Sequence, residues 1–325
     1  MKKILAVLTA LVLVLSLAAC AAKSESASST ADDKTTYTVG VCQLVQHDAL
    51  DAATQGFVDA LQAELGDAVS VDVQNASNDA VNCGTIVNGF VSQGVDLIMA
   101  NATPALTAAV SATADIPILG TSITAYGVAL DLDDFDGTVG GNISGTSDLA
   151  DLQAQAQMIL DWFPQTKTVG LLFCSAEPNS RYQVDEVRKA LEAQGVVCEE
   201  FAFTDSNDVS SVAQKAADSS DVIYIPTDNT AASNTEAIGN IVIPAGVPVI
   251  AGEEGICKGC GVATLSISYY DLGVTTGKMA AKILRGEADI SQMAVEYTDA
   301  TPKYNPSVCE QLGITPLDGY EAIEG

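Results

Sequence analysis

The chain has 325 residues, with 42 acidic against 14 basic side chains and a formal charge of −28. That length exceeds one comfortable hydrophobic core and suits two domains, and a hydrophobic content of 48% is enough to fill them. So large an acidic excess excludes affinity for phosphate backbones and for anionic lipid headgroups.

Lys2 and Lys3 precede an apolar run over 4–17 that ends in Leu17-Ala18-Ala19-Cys20. A positive start, an apolar core short of a membrane span and small residues before a cysteine predict a lipoprotein signal peptide over 1–19. Cleavage before Cys20 would free its thiol to accept a diacylglyceryl group. Two or more acyl chains anchor a protein stably, where one does so marginally. An uncleaved spanning helix is the alternative, and the shortness of the run argues against it. Residues 20–36, rich in Ser, Ala, Thr and charge, read as a flexible tether. With Cys20 assigned to lipid, Cys42, Cys83, Cys174, Cys198, Cys257, Cys260 and Cys309 remain. An odd set outside the cytoplasm leaves a free thiol or an intermolecular partner.

From residue 38 onward, short β-branched runs alternate with helical segments, which predicts an α/β fold with parallel sheets covered by helices on both faces. The first half gives strands over 37–45, 69–73, 95–100 and 116–120. A helix opened by Asp48 carries Leu50, Ala53, Phe57 and Leu61 at helical spacing, a second runs over 79–93, and Thr103-Pro104 starts a third. The second half repeats the scheme, with strands over 168–174, 196–203, 222–226, 247–251 and 262–267. Its helices cover 179–194, a stretch from Asn207 to 218, and 230–243. Two such arrays predict two doubly wound lobes facing a cleft. The Gly- and Asp-rich stretch 126–149 is the first hinge, and the helix 269–285 with the run 294–298 passes back. The predicted division is 37–125 with 268–298 for lobe 1, the C-terminal segment 299–325 joined to it, and 126–267 for hinge and lobe 2. Several crossovers of this kind make a hinge that closes over a ligand.

In open parallel sheets ligands sit at the carboxyl ends of strands. The loops there are 43–47, 101–103, 121–122, 175–180, 227–230 and 252–255, all small and polar. Helix N-termini behind them suit a carboxylate, and Asp228, Glu253 and Glu254 suit an ammonium. Together they fit a zwitterion such as a free amino acid. Helix capping alone accounts equally well for Asn229 and Thr230, and solvation for Glu254, whereas an acid at 228, between strand and cap, points more to a ligand. No loop carries a Trp or Phe to stack a sugar ring, and Trp162 falls on a helical segment as a packing residue. There is no Gly-rich phosphate loop. The single histidine, His47, excludes clustered metal ligands, and any Ser-His-Asp or Cys-His centre would depend on it. No cofactor or metal is expected. Cys257-Lys258-Gly259-Cys260 has redox-pair or half-zinc spacing, but without a second pair it reads as a local disulfide across a tight turn. Cys42 and Cys174 end the first strand of each half; facing each other they would supply the base and acid of a cofactor-independent amino-acid racemase. Two buried, apolar-like cysteines are the commoner arrangement.

The segments VCQLVQHDALD (41–51), GTSIT (120–124), SAEPNSRYQV (175–184), YIPTDNT (224–230), GEEG (252–255) and ATLSISYYDLGVTTGKM (263–279) carry a resemblance over most of the chain. It is to the ABC-transporter substrate-binding protein family that includes tryptophan, tyrosine and phenylalanine binders. The resemblance implies a type I periplasmic-binding-protein fold, delivery of solute to an ABC permease, and an aromatic preference. Carried over by position, it implies Thr121 and Ser122 in the first-lobe part of the pocket, and Ser175, Asn179, Thr227, Asp228, Asn229 and Glu254 in the second-lobe part. The chain departs from the pattern at Ala125-Tyr126, where an acid and a proline are usual, at Cys174, where a larger residue is common, and at Cys257 and Cys260. The expectation is a monomeric, membrane-anchored, extracytoplasmic lipoprotein, the solute-binding component of an ABC importer and no enzyme. The alternatives are the two-thiol racemase and a sensor that presents bound solute to a membrane receptor.

Overall fold

The computed structural model describes residues 36–324. The predicted signal peptide, the lipidation site Cys20 and the tether up to residue 35 lie outside the described residues. Among the described residues no helix is long and apolar enough to cross a membrane.

The strands in chain order begin with β1 (Tyr37–Gln43), β2 (Val69–Asn75), β3 (Leu97–Asn101), β4 (Ile118–Ile123) and β5 (Ile143–Ser147). There follow β6 (Thr168–Cys174), β7 (Val197–Phe203), β8 (Val222–Ile225), β9 (Val249–Ala251) and β10 (Ala263–Ser266). The last are β11 (Glu296–Tyr297), β12 (Thr301–Tyr304) and β13 (Glu321–Ala322). They form a six-stranded sheet in the order β11-β5-β4-β3-β1-β2 and a seven-stranded sheet in the order β13-β12-β10-β9-β8-β6-β7. Every pairing is parallel except β10 with β12. Central strands such as β3 and β4 are buried along their whole length, which is why they open on consecutive apolar residues, Leu97 to Ala100 and Ile118-Leu119, rather than alternating ones. Each sheet has a core on both faces.

The helices Asp48–Leu65 and Tyr269–Leu284 share one face of the first sheet, where Phe57, Leu61, Met279 and Ala280 join its core. Glycines let their backbones touch: a Cβ at Gly273 would lie 2.0 Å from the Ala53 carbonyl oxygen, and one at Gly56 2.1 Å from that of Tyr270. Both helices begin at the carboxyl ends of the strands, so this tight pair fixes two sides of the cleft.

Four expectations change. The stretch 126–149 is not only hinge: β5 lies in it and pairs with β4 at the edge of the first sheet. Glycine and hydroxyl residues hide that strand, and Gly145 is required because its φ of +146° and a Gly120 carbonyl 2.0 Å from any Cβ exclude a side chain. Second, 299–325 belongs with the second lobe. β12 pairs with β10, β13 pairs with β12, and the helix Pro306–Leu312 sends Val308 and Cys309 into the second-lobe core. Asn305 locks this arrangement by capping that helix and donating to the Cys257 and Lys258 carbonyls. The chain therefore crosses between the sheets after β5, after β10 and after β11. Third, Cys257 and Cys260 lie in a helix, Glu254–Cys260, rather than a tight turn, and both sulfurs are unbonded to each other. The predicted helix over 230–243 is likewise two, Asn229–Ala232 and Thr235–Val242. Ser233 and Asn234 there turn their side chains onto the carbonyls of Asn229 and Thr230, competing with the backbone ladder.

Candidate functional site

The acids of the second-lobe wall are tied into a hydrogen-bond network with neighbouring loops and helix ends. Asp228 follows β8 and caps the short helix behind it, its Oδ1 accepting from the Ala231 N–H at 2.7 Å. Its Oδ2 accepts from the Cys174 N–H at 2.6 Å, which ties the β8 loop to the end of β6. Glu177 accepts from the Asn229 N–H (3.0 Å) and side-chain amide (2.7 Å) and from the Thr230 N–H (2.9 Å) and hydroxyl (2.8 Å). Glu253, after β9, accepts from the N–H groups of Gly255 and Ile256. Burial, with Glu177 beside it, pushes the Asp228 carboxyl up to about 8. Burial pushes that of Glu253 up to about 7 against its own N–H bonds.

The opposite wall is different. His47 precedes the helix Asp48–Leu65 without capping it. Its ring lies 3.3 Å from Asn229 Oδ1; because the Asn229 amide donates to Glu177, that oxygen accepts and the His47 Nε2–H donates. Burial lowers the His47 pKa, so the neutral ring is the form this contact uses. Asn78 donates to the Thr230 hydroxyl at 3.0 Å, a second bond from first lobe to second. Ser122, in the left-handed region at φ 55°, has a buried hydroxyl with no partner. Asp148, one residue past β5, accepts from the Tyr269 hydroxyl through Oδ2 at 2.8 Å, while its Oδ1 has no partner. Burial raises the Asp148 pKa, partly offset by the Tyr269 and Thr124 hydroxyls. Asn179 Oδ1, on the second-lobe side, is also unpartnered.

These groups surround one cavity, lined by His47, Leu50, Ser122, Thr124 and Asp148, by Asn179, Thr227, Asp228, Asn229, Ala232 and Glu253, and by Tyr269. No Lys or Arg lines it. Its room is about 10 Å3, on the scale of one water, so any amino acid enters only if the lobes separate.

Of the residues predicted for the site, Ser122, Asn179, Thr227, Asp228 and Asn229 come together here. Three do not. Thr121 is buried in the sheet, its hydroxyl 3.1 Å from that of Thr146, which is 2.8 Å from that of Thr276. Alternation and a register shift between Gly120 and Ile123 turn it away from Ser122's side. Ser175 is exposed and donates to the Phe203 carbonyl at 3.1 Å. Glu254 pairs with Lys303 at 2.8 Å and accepts from Ser266, outside the cavity. Asp228 is present but is no free anion, since both its oxygens are held by N–H donors. Sequence reasoning missed Asp148, Tyr269, Thr124 and Leu50; the available signal was an acid directly after a strand, but that strand itself was concealed.

Cys42 and Cys174 have separate surroundings. The Cys42 thiol meets Cys83 within the first-lobe core, and that of Cys174 donates to the Thr204 carbonyl at 3.5 Å. Among the described residues no group of three or more His, Cys, Asp or Glu is placed to hold a metal.

Two α/β lobes of mainly parallel sheet, joined by repeated crossings and meeting at a polar cavity beyond the strand ends, define a solute receptor of the periplasmic-binding-protein type. Residues 38–319 match the model of the ABC transporter substrate binding protein family, and the chain belongs to that family. Its members are solute-binding proteins and not enzymes, so the racemase alternative falls. The chain is 32% identical over 311 residues to the tyrosine-binding protein of Clostridioides difficile (strain R20291), covering 92% of this chain and 89% of that one. A Streptococcus pneumonia domain solved in complex with L-Trp is 32% identical, with a TM-score of 0.83 over 89% of this chain and all of the other. The ligand-free, open structure of a substrate-binding protein with adhesive properties from Clostridium difficile is 34% identical over 89% of this chain and 99% of that one, but has a TM-score of 0.67. At nearly equal identity, the chain superposes better on the L-Trp complex than on the ligand-free, open structure.

Proposed function

We propose that this chain is the solute-binding lipoprotein of an ABC importer, held outside the cytoplasmic membrane by a lipid on Cys20, and that it captures a free amino acid with an aromatic side chain between its lobes for a membrane permease. The observation that carries the ligand reading is the interlobe cavity, where the unpartnered Ser122 hydroxyl, Asp148 Oδ1 and Asn179 Oδ1 converge. Buried polar atoms without partners are rare in folded proteins and call for an explanation, and a polar ligand satisfies all three. The tyrosine-binding relative and the L-Trp complex support an aromatic amino acid. Ser122, Asn179, Thr227 and Asn229 are the contacts we assign, with Asp228 holding the wall behind them. The apolar leader ending in Leu17-Ala18-Ala19-Cys20 supports the anchor.

A ligand that binds only the folded protein raises its melting temperature by mass action, by about 2.7 kcal/mol at a hundredfold excess over Kd. A thermal-shift panel of amino acids, nucleosides and sugars is therefore the direct test. L-tyrosine or L-tryptophan is expected to stabilise the protein; stabilisation by a sugar or nucleoside and by no amino acid would overturn the ligand class. For the anchor, Cys20→Ala is expected to abolish lipid labelling and release the protein from the membrane fraction.

A further inference from the structure

The buried acids at the cleft are not equivalent. Glu177, Asp228 and Glu253 each have their oxygens engaged by N–H or O–H donors of the same lobe. Asp148 lines the cavity beside Ser122 and Asn179 and is 3% exposed; the Tyr269 hydroxyl holds its Oδ2, the Thr124 hydroxyl also steadies the carboxylate, and Oδ1 has no hydrogen-bond partner. A carboxylate taken out of water needs a counter-charge or gives up its ionisation, and no Lys or Arg stands on the cavity wall to supply one.

We propose that the Asp148 carboxylate, steadied by the Tyr269 hydroxyl, holds the ammonium of the bound amino acid. This rests on the amino-acid reading above and replaces Asp228 and Glu254, which the sequence favours for that task, with a residue neither motif nor spacing singles out. An ammonium offers both missing elements at once, a positive charge and an N–H for Oδ1. Tyr269 begins the helix that passes back to the first sheet, and Asp148 stands where the chain leaves β5 for the second lobe. The anchor thus lies on two of the segments that cross between lobes, where a ligand's charge is placed to bias closure.

The test compares wild type with Asp148→Asn, an isostere that keeps an oxygen for Tyr269. Binding of L-tyrosine and L-tryptophan is measured beside their deaminated counterparts, 3-(4-hydroxyphenyl)propionate and indole-3-propionate, with melting of the free proteins recorded alongside. Asp148→Asn is expected to weaken amino-acid binding at least tenfold, to leave the deaminated acids unchanged, and to melt no lower than wild type, since it removes an unpaired buried carboxyl. Equal losses for both ligand classes, unchanged amino-acid affinity, or a lower melting temperature of the free variant would each overturn the assignment. A wild type that binds no amino acid of the panel removes the amino-acid reading and this inference together, whereas a wild type that binds and a variant that binds equally well removes this inference alone.

Discussion

The two walls of the cleft are built on opposite principles. On the second-lobe side Glu177, Asp228 and Glu253 spend their oxygens on the N–H groups of neighbouring loops and helix ends, so that wall is shaped before any ligand arrives. On the other side Ser122 and Asp148 keep polar atoms free, and His47 and Asn78 reach across to Asn229 and Thr230. Abundance of acid is therefore a poor guide to where a cation binds: the acids nearest the recognisable motifs hold the scaffold, and the free one sits where the chain changes lobes.

The sharpest way to break this contrast is to remove Glu177. Its side chain is only 4% exposed and gathers the N–H groups and side chains of Asn229 and Thr230. Hydrogen bonds to a charged group are worth about 1.5–3 kcal/mol each, and orphaned buried donors add a desolvation cost. Relief of the repulsion that Glu177 exerts on Asp228 offsets part of this. Glu177→Ala is expected to cost the free protein about 3 kcal/mol or more, a fall in melting temperature of roughly 5 °C or more for a chain of this size. Calorimetry of the ligand-free protein decides it; an unchanged melting temperature combined with lost binding would make Glu177 a ligand contact and dissolve the contrast.

Why the sequence shows one half of this and not the other follows from range. The central strands and the helix carrying Leu50, Ala53, Phe57 and Leu61 declare themselves because their periodicity is local. The loops with Asn179, Thr227, Asp228 and Asn229 are legible because parallel topology sends ligands to strand ends. Which acid in those loops is free is not local. Glu177 meets Asn229 across 52 residues, and Asp228 meets Cys174 across 54. The choice between Thr121 and Ser122 depended on a register shift that no residue pattern announces. Asp148 was lost with β5, whose Ile-Ser-Gly-Thr-Ser sequence lacks the apolar run of a strand.

The bonds across the cleft sharpen the comparison from the first-lobe side. The hydrogen bonds of His47 and Asn78 to the second lobe go to Asn229 and Thr230, so removing them should act on closure rather than on the fold. A typical hydrogen bond contributes about 0.5–1.5 kcal/mol net. His47→Ala with Asn78→Ala is expected to weaken amino-acid binding by roughly fivefold to a hundredfold on the scale of about 1.4 kcal/mol per decade. The melting temperature without ligand should move by no more than a few degrees, and small-angle scattering should show a larger radius of gyration. Full affinity in the double variant would mean that these contacts accompany closure without stabilising it.

The smallest effect concerns the pH dependence of the second-lobe wall. Glu253 has an ordinary carboxyl value of 4.5 and is pushed up to about 7 by burial. The folded protein then binds this proton more tightly than the unfolded chain does, so the contribution to stability is complete below 4.5 and is lost as pH rises through 7. One such group changes stability by at most about 1.4 kcal/mol per pH unit. The interval from pH 5.5 to 7, between the ordinary and the raised Glu253 value, is the informative window. Asp228, pushed up to about 8, contributes there as well, so the wild-type slope alone assigns nothing. The difference between wild type and Glu253→Gln isolates one residue: the variant is expected to show a flatter fall in unfolding free energy across that window in urea titrations. Parallel slopes would mean that the two N–H bonds from Gly255 and Ile256 outweigh burial and keep Glu253 ionised, which would make this acid a fixed charge facing the same cavity as Asp148.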